Sequence, residues 1–327
     1  MSLPRLHLIA TGGTIAGLSH APAAQAAPWS YSAAQLSAEQ LLQATPDLLT
    51  AAHWTVDQPY SIGSQDLTPQ HLVVLREAVL KALRDPAVDS VIVTHGTDTA
   101  EDALYFLHLT IPLALRTKAI LFVAAMLPSD HPDADGPSNL RQAFAWASTG
   151  DLGPSPLGLA MQGRFIPAEK VTKWSTAGVA AFQPPTDGAF AERMDADGPC
   201  AGQYVDFDPD RFTQVEVPVV YCTPGPAPLH AVESAFKRHV QSVVVAAPGH
   251  GNIPETLVPV LRDCLLAGID VVRASRVPHG GVEQGGEFNS LDNFRVPRSG
   301  CGVFREAGAL SLNKLVVLEM LRHSVRT

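Results

Sequence analysis

LHLIATGGTIAG, residues Leu6–Gly17, runs from an apolar stretch into a paired-glycine turn. Apolar residues from Leu6 to Ala10 predict a buried strand. Gly12 and Gly13 give it a tight exit, because glycine takes positive φ without steric cost and lets the backbone approach a ligand closely. The hydroxyls of Thr11 and Thr14 then lie at the carboxyl end of a first strand, where open α/β sheets hold their ligands. An ordinary strand-to-loop turn has the same local features, so the rest of the chain decides between the two.

Outward from this stretch, strands and helices alternate. Val56–Ile62 reads as a short strand closed by Gly63-Ser64-Gln65-Asp66. A helix opens at Pro69 and carries Leu72, Leu75, Val79 and Leu83 at helical spacing. SVIVT (Ser90–Thr94) and AILFVAA (Ala119–Ala125) are compact buried strands. Between them, Asp98 and Glu101 have the spacing of a capping box, which predicts a helix continuing through Leu104, Leu107 and His108. A helix over Ser32–Ala44 ends near Pro46, and shorter strands follow at Gly158–Met161 and Lys170–Lys173. After a Pro-, Gly- and Asp-rich interval a second series runs through strands at Val217–Thr223, Ser242–Ala247 and Asp270–Ser275, helices from Leu229 and Pro254, and a closing helix at Leu310–Arg322. Such alternation predicts βαβ units. The expected organisation is an N-terminal α/β domain over 1–190, a linker over 191–213 and a smaller C-terminal α/β domain over 214–327.

Composition narrows the function classes. Hydrophobic residues make up 46% and charged residues 17% of 327 positions, enough apolar material for two cores. Formal net charge is −9 with no Lys/Arg-rich run, so nucleic acid and anionic membrane are not expected partners. No window reaches the 18 or so apolar residues of a membrane span. Met-Ser-Leu-Pro-Arg leads straight into the first strand, and Cys200, Cys222, Cys264 and Cys301 form no C-x-x-C pair. A cytoplasmic protein with free thiols is expected. The twelve histidines lack zinc spacing, and neither a metal nor a cofactor is expected.

The glycines match neither G-x-G-x-x-G nor a P-loop, and no G-x-S-x-G elbow occurs. Asp130–Gly136 has no EF-hand order of ligands and is expected to be a polar turn. What remains is a set of polar residues after successive strands: Thr14, then Ser64-Gln65, then Thr97-Asp98. Each alone would more often be a cap or turn residue. In equivalent positions of one sheet they converge on one pocket. Lys173 ends a short strand, and a solvated lysine is the ordinary alternative.

ATGGTIAG (Ala10–Gly17) together with THGTDT (Thr94–Thr99) resembles the bacterial L-asparaginase family of threonine amidohydrolases. The likeness continues in order through IGSQD (Ile62–Asp66), AAMLPSD and ADGPSNL (Ala124–Leu140), VTK (Val171–Lys173), GHGN (Gly249–Asn252) and VVRASRVPHG (Val271–Gly280). It implies a larger N-terminal domain with a mixed, mostly parallel sheet flanked by helices, and a smaller C-terminal α/β domain with a parallel sheet.

The resemblance also implies roles. Thr14 would attack the side-chain amide carbon of L-asparagine, with L-glutamine secondary, to form a β-aspartyl ester that water cleaves. Tyr31 would activate it from a lid. Thr97, Asp98 and Lys173 would form a second cluster in which Lys173 deprotonates or polarises Thr97. A threonine hydroxyl is a weak nucleophile at neutral pH and needs such neighbours. Backbone N–H groups of the Gly12–Gly13 turn and near Thr97 are candidates for an oxyanion hole. Gly63, Ser64, Gln65, Asp98 and Ala125 would bind substrate, Ser64 taking the α-carboxylate and Gln65 and Asp98 the α-ammonium. Asn252 and a glutamate, Glu287 or its rival Glu283, would come from a neighbouring subunit of a dimer or tetramer. Thr14 and Tyr31 lie farther apart here than is usual in the family, and the intervening loop is Ala/Pro-rich. Two other readings are a non-catalytic amino-acid-binding or sensing protein on the same scaffold, and a transfer-RNA amidotransferase subunit. The acidic charge speaks against the second, and a binder has no need of a lysine–threonine pair.

Overall fold

The computed structural model describes residues 3–20, 29–149, 152, 156–182, 204–278, 280–282 and 300–326. The chain forms two compact units, Met1–Pro184 and Pro185–Thr327.

In the first unit the strands are β1 (Arg5–Ala10), β2 (Leu18–Ser19), β3 (Tyr31–Ser32), β4 (His53–Asp57), β5 (Ser90–Thr94), β6 (Ile120–Val123), β7 (Leu157–Met161) and β8 (Arg164–Pro167). Its helices are α1 (Ala38–Gln43), α2 (Pro46–Leu49), α3 (Pro69–Arg84), α4 (Ala100–Thr110) and α5 (Gly136–Thr149). Six strands make one sheet in the order β4-β1-β5-β6-β7-β8, parallel except for the β7–β8 pair. The connection from β4 to β5 passes over β1, so the segments leaving β4, β1, β5 and β6 are neighbours. Ala10 is registered with Thr94, and Thr94 with Val123. Strands β5, β6 and β7 are buried at every residue, as expected of parallel strands covered on both faces. Leu6, Leu8, Ile92, Leu121 and Val123 pack on one face against Leu42 of α1 and Leu140, Ala143 and Ala147 of α5.

The mixed, mostly parallel architecture agrees with expectation, and four local readings are corrected. The strand expected at Val56–Ile62 is β4, shifted toward the N-terminus. Pro59, which has no N–H to give a ladder, follows it, and Ile62 returns only as an isolated bridge to Gly12. The helix expected over Ser32–Ala44 ends before Pro46 as read but starts only at Ala38, behind the capping Ser37, and Pro46 then opens the short α2. Lys170–Lys173 is no strand: a 3₁₀ turn over Ala168–Lys170 precedes a lone bridge from Lys173 to Phe182. The edge strand is β8 instead, joined to β7 by Gln162-Gly163. Both turn residues have positive φ, 55° and 69°, as a type I′ hairpin requires. The fourth correction concerns Asp98 and Glu101. Thr99 is the N-cap of α4 and no side chain caps it, so there is no capping box.

The second unit contains α6 (Pro209–Phe212), β9 (Val219–Tyr221), α7 (Ala227–Arg238), β10 (Ser242–Ala247), α8 (Val258–Leu266), β11 (Asp270–Ser275), β12 (Phe304–Glu306) and α9 (Leu312–Arg322). Its sheet has the order β12-β11-β10-β9 and is parallel throughout. Val243, Val245 and Val271 pack against Val232 of α7 and Leu261 of α8, while Val244 and Val272 meet Leu315 of α9 on the other face. Among the described residues Cys222, Cys264 and Cys301 are free thiols.

A buried ion network ties this unit together. Arg305 on β12 bridges Asp270 at the start of β11 and Glu319 on α9, whose carboxylates are almost fully enclosed. Burial alone would raise the Asp270 carboxyl, but His323, the Val303 N–H and Arg305 outweigh it and hold it down at about 2. A depressed carboxyl stabilises the fold above its unfolded pKa, and that contribution disappears as pH falls from about 4 toward 2. Asp270→Asn is therefore expected to cost about 2 kcal/mol at neutral pH. It should also flatten the stability loss over that acid range, as measured by urea unfolding at several pH values.

Candidate active site

The first site elements follow from the glycines after β1. Gly12 and Gly13 have φ of 99° and 80°. The Gly13 N–H donates to Ile62 O at 2.9 Å, and its carbonyl accepts from Ala16 and Ala34. This folds Thr14–Ala16 into a single 3₁₀ turn. The two threonines of the opening stretch separate here. Thr11 Oγ1 donates to Thr94 O at 2.8 Å and serves the sheet, whereas Thr14 Oγ1 lies 2.7 Å from Tyr31 Oη. Because Ile62 takes the Gly13 N–H, the oxyanion candidates that stay are the Gly12 N–H of the same turn and those near Thr97.

Tyr31 reaches Thr14 from a two-stranded hairpin in which β2 pairs antiparallel with β3. One leg is fixed by Asp130, which accepts from the N–H and hydroxyl of Ser19 at 2.9–3.1 Å. His20 Nε2 and Ser32 Oγ, 2.8 Å apart, link the legs. Asp130 thus belongs to a polar turn, as expected, and its carboxylate anchors the hairpin base.

A second cluster forms after β5. Lys173 Nζ donates to Thr97 Oγ1 at 2.8 Å and to Asp98 Oδ1 at 2.6 Å. Thr97 is buried, the Lys173 side chain is 18% exposed and that of Asp98 is 58% exposed. Lys173 is therefore no solvated surface lysine. Ser64, buried after β4, accepts the Asp98 N–H on Oγ at 3.2 Å, and its carbonyl accepts from Thr99 Oγ1 at 2.8 Å. Gln65 is exposed and its amide donates to Asp66 at 3.2 Å.

The two clusters are held in register by backbone. A Cβ on Gly13 would lie 2.4 Å from the Gly96 N and Cα, and one on Gly96 would lie 2.4 Å from Ser64 Oγ. His95 beneath them is buried, with Nδ1 2.8 Å from Gly96 O, and burial lowers its ring to about 4 despite that bond. Its imidazole is neutral at physiological pH.

Ala125 is buried just after β6. The loop around it is held by Asp135, whose carboxylate accepts the N–H groups of Met126 and Leu127 at 3.0–3.1 Å, and by Asn139, whose amide donates to Ala124 O at 2.9 Å. Both residues lie in the ADGPSNL block, and neither is among those to which the resemblance gives a role. A carboxylate and an amide flanking a glycine at a helix start were the available signal. Asn252, after β10 in the second unit, donates its N–H to Pro248 O. Gly63 precedes the 3₁₀ turn carrying Ser64. Glu283 and Glu287 lie outside the described residues. Among the described residues, only Asp270, Glu319 and His323 cluster as metal ligands do, and arginines already bridge both carboxylates.

Two family models cover most of the chain: "Asparaginase, N-terminal" over residues 5–199 and "Glutaminase/Asparaginase C-terminal domain" over residues 216–318. The chain therefore belongs to the asparaginase family of amidohydrolases. It is 30% identical over 295 residues to a "Probable L-asparaginase periplasmic" of Haemophilus influenzae, covering 88% of this chain and 82% of the relative. It is also 30% identical over 291 residues to the "Glutaminase-asparaginase" of Acinetobacter glutaminasificans, covering 86% of each chain. A crystal structure of the "Probable Cytoplasmic L-asparaginase" of Campylobacter jejuni superposes with a TM-score of 0.80 at 27% identity, covering 98% of this chain and 94% of that one.

The glycine contact makes a direct test. Gly13→Ala would suffer positive-φ strain of order 1–3 kcal/mol and, in addition, a backbone clash. Gly163, at φ +69° with nothing within 4 Å, is the control that suffers strain alone. Gly13→Ala is expected to unfold at clearly lower urea concentration than Gly163→Ala.

Proposed function

We propose that this protein hydrolyses the side-chain amide of L-asparagine to L-aspartate and ammonia, with L-glutamine a secondary substrate. The observation that carries the reading is the Thr14–Tyr31 hydrogen bond beside the Lys173–Thr97–Asp98 cluster. Thr14 Oγ1 attacks the amide carbon; its proton passes to Tyr31 Oη while the phenol gives its own proton to the amide nitrogen, which then leaves as ammonia. The tetrahedral oxyanion is met by backbone N–H near Thr97, a contribution of about 3 kcal/mol for one well-placed donor. Ammonia leaves, and a water oriented by Thr97 and Lys173 cleaves the β-aspartyl ester. Ser64 and Asp98 hold the α-carboxylate and α-ammonium, which favours a free amino acid. Gln65 joins them by turning its amide from Asp66. Relatives named L-asparaginase and glutaminase-asparaginase fit this substrate class.

The same reading places Asn252 and Glu287 at a neighbouring subunit's site in a dimer or tetramer, and the protein in the cytoplasm. The compartment is supported by the free thiols of Cys222, Cys264 and Cys301 and by the Campylobacter structure's designation. It keeps the domain limits at 1–190 and 214–327, joined by 191–213, which limited proteolysis followed by mass spectrometry checks. An amino-acid sensor on the same scaffold is the competing reading. Asparagine binding with no ammonia above background would decide for the sensor.

Thr14→Ala is expected to abolish ammonia release while leaving asparagine binding by calorimetry largely intact; retained turnover would remove Thr14 as nucleophile. Thr97→Val and Lys173→Met should each lower kcat by a similar large factor, and the double variant by little more, because members of one catalytic unit are non-additive. Reassembling inactive Thr14→Ala subunits with inactive Glu287→Ala subunits should restore part of the activity. Restoration with Glu283→Ala instead would move the cross-subunit role to Glu283.

A further inference from the structure

We propose that Glu101 is a positioning residue for Lys173: its buried carboxylate fixes the backbone from which the lysine reaches Thr97. Glu101 stands in the first turn of α4, a helix in which every residue but Asp102 is buried, and is itself only 4% exposed. A charge enclosed to that degree is kept only where partners satisfy it. Its partners include the segment that carries the lysine. Glu101 Oε2 accepts the Lys173 N–H at 3.3 Å, and Oε1 accepts from Thr172 Oγ1 at 3.4 Å.

The spacing explains the arrangement. Asp98 and Glu101 are three residues apart at the entry to α4 and serve one lysine from two sides. Asp98 holds the ammonium of Lys173, and Glu101 holds its main chain. Lys173 needs such support because it lies in no strand; among the described residues its sole ladder contact is the isolated bridge to Phe182. A lysine has four side-chain torsions, so its Nζ is placed only if its Cα is placed. The pair that looked like a helix cap is thus a two-point clamp on Lys173. This role rests on the hydrolase reading for its kinetic consequence but not for its geometry.

The test uses full-length Glu101→Gln and Glu101→Ala, each alone and combined with Lys173→Met. Glu101→Gln, which keeps shape and one acceptor oxygen, should lower kcat for asparagine about tenfold with KM within about twofold. Glu101→Ala should lower kcat further. Neither change should lower kcat again once Lys173 is methionine. Full independent losses in the Lys173→Met background, or an unchanged kcat in Glu101→Ala, would overturn the proposal. If Glu101→Ala does not fold, the Gln variant alone carries the same comparison. Hydrogen exchange gives a readout free of turnover: the segment around Lys173 should exchange faster in the variants while α3 and α5 are unchanged, and equal protection at Lys173 would refute the clamp. Wild-type protein releasing no ammonia would instead defeat the hydrolase reading, leaving the exchange result to judge Glu101.

Discussion

The approach of Gly13 to Gly96 is the constraint on which the site depends. Two segments leaving adjacent parallel strands, β1 and β5, pass so closely that neither glycine could carry a side chain without displacing backbone or Ser64. The Thr14–Tyr31 pair and the Lys173–Thr97–Asp98 cluster therefore flank one gap instead of occupying separate pockets. Ser64 is drawn into the same contact from the segment after β4, through its hydroxyl on the Asp98 N–H. Three stretches far apart in sequence are fixed to one another mainly by main chain, which reorganises far less than surface side chains do.

Around this contact, functional side chains are supported by polar partners with no chemistry of their own, an exposed one at Asp130 and buried ones at Asp135, Asn139 and Glu101. Asp130 holds the hairpin that delivers Tyr31, Asp135 and Asn139 shape the segment after β6, and Glu101 underlies Lys173. These groups accept or donate to backbone, so they set peptide orientation. Preorganised donors and acceptors act without rearranging during the reaction, which is the main advantage of a protein site over water.

Much of this was legible in the sequence, for identifiable reasons. SVIVT and SVVVAA are compact apolar runs with polar flanks, and β5 and β10 occupy them residue for residue. Glycine pairs after a strand marked the site because close backbone approach permits few alternatives. Hairpin β7–β8 escaped notice because Gln162-Gly163 lacks the Asn-Gly or Asp-Gly signature, although Gly163 supplies one positive φ and Gln162 is forced into another. Strand β4 starts and stops earlier than Val56–Ile62 because the alternation there runs across Pro59, which has no N–H to give a ladder. Asp98 and Glu101 misled most instructively: their spacing fits a local cap, but both carboxylates turn to a lysine that is neighbouring only after folding.

His95 has a consequence for how such a site meets a changing medium. Its ring is enclosed in the floor between the two clusters, packs against Phe122 with centroids 5.6 Å apart, and gains a proton only near pH 4. A histidine usually makes its surroundings responsive to mild acidity. This one contributes shape and a hydrogen bond but no titration in that range, so it adds no change of charge beneath the site whether a cell is slightly acid or slightly alkaline. The imidazole here acts as an electrostatically silent spacer.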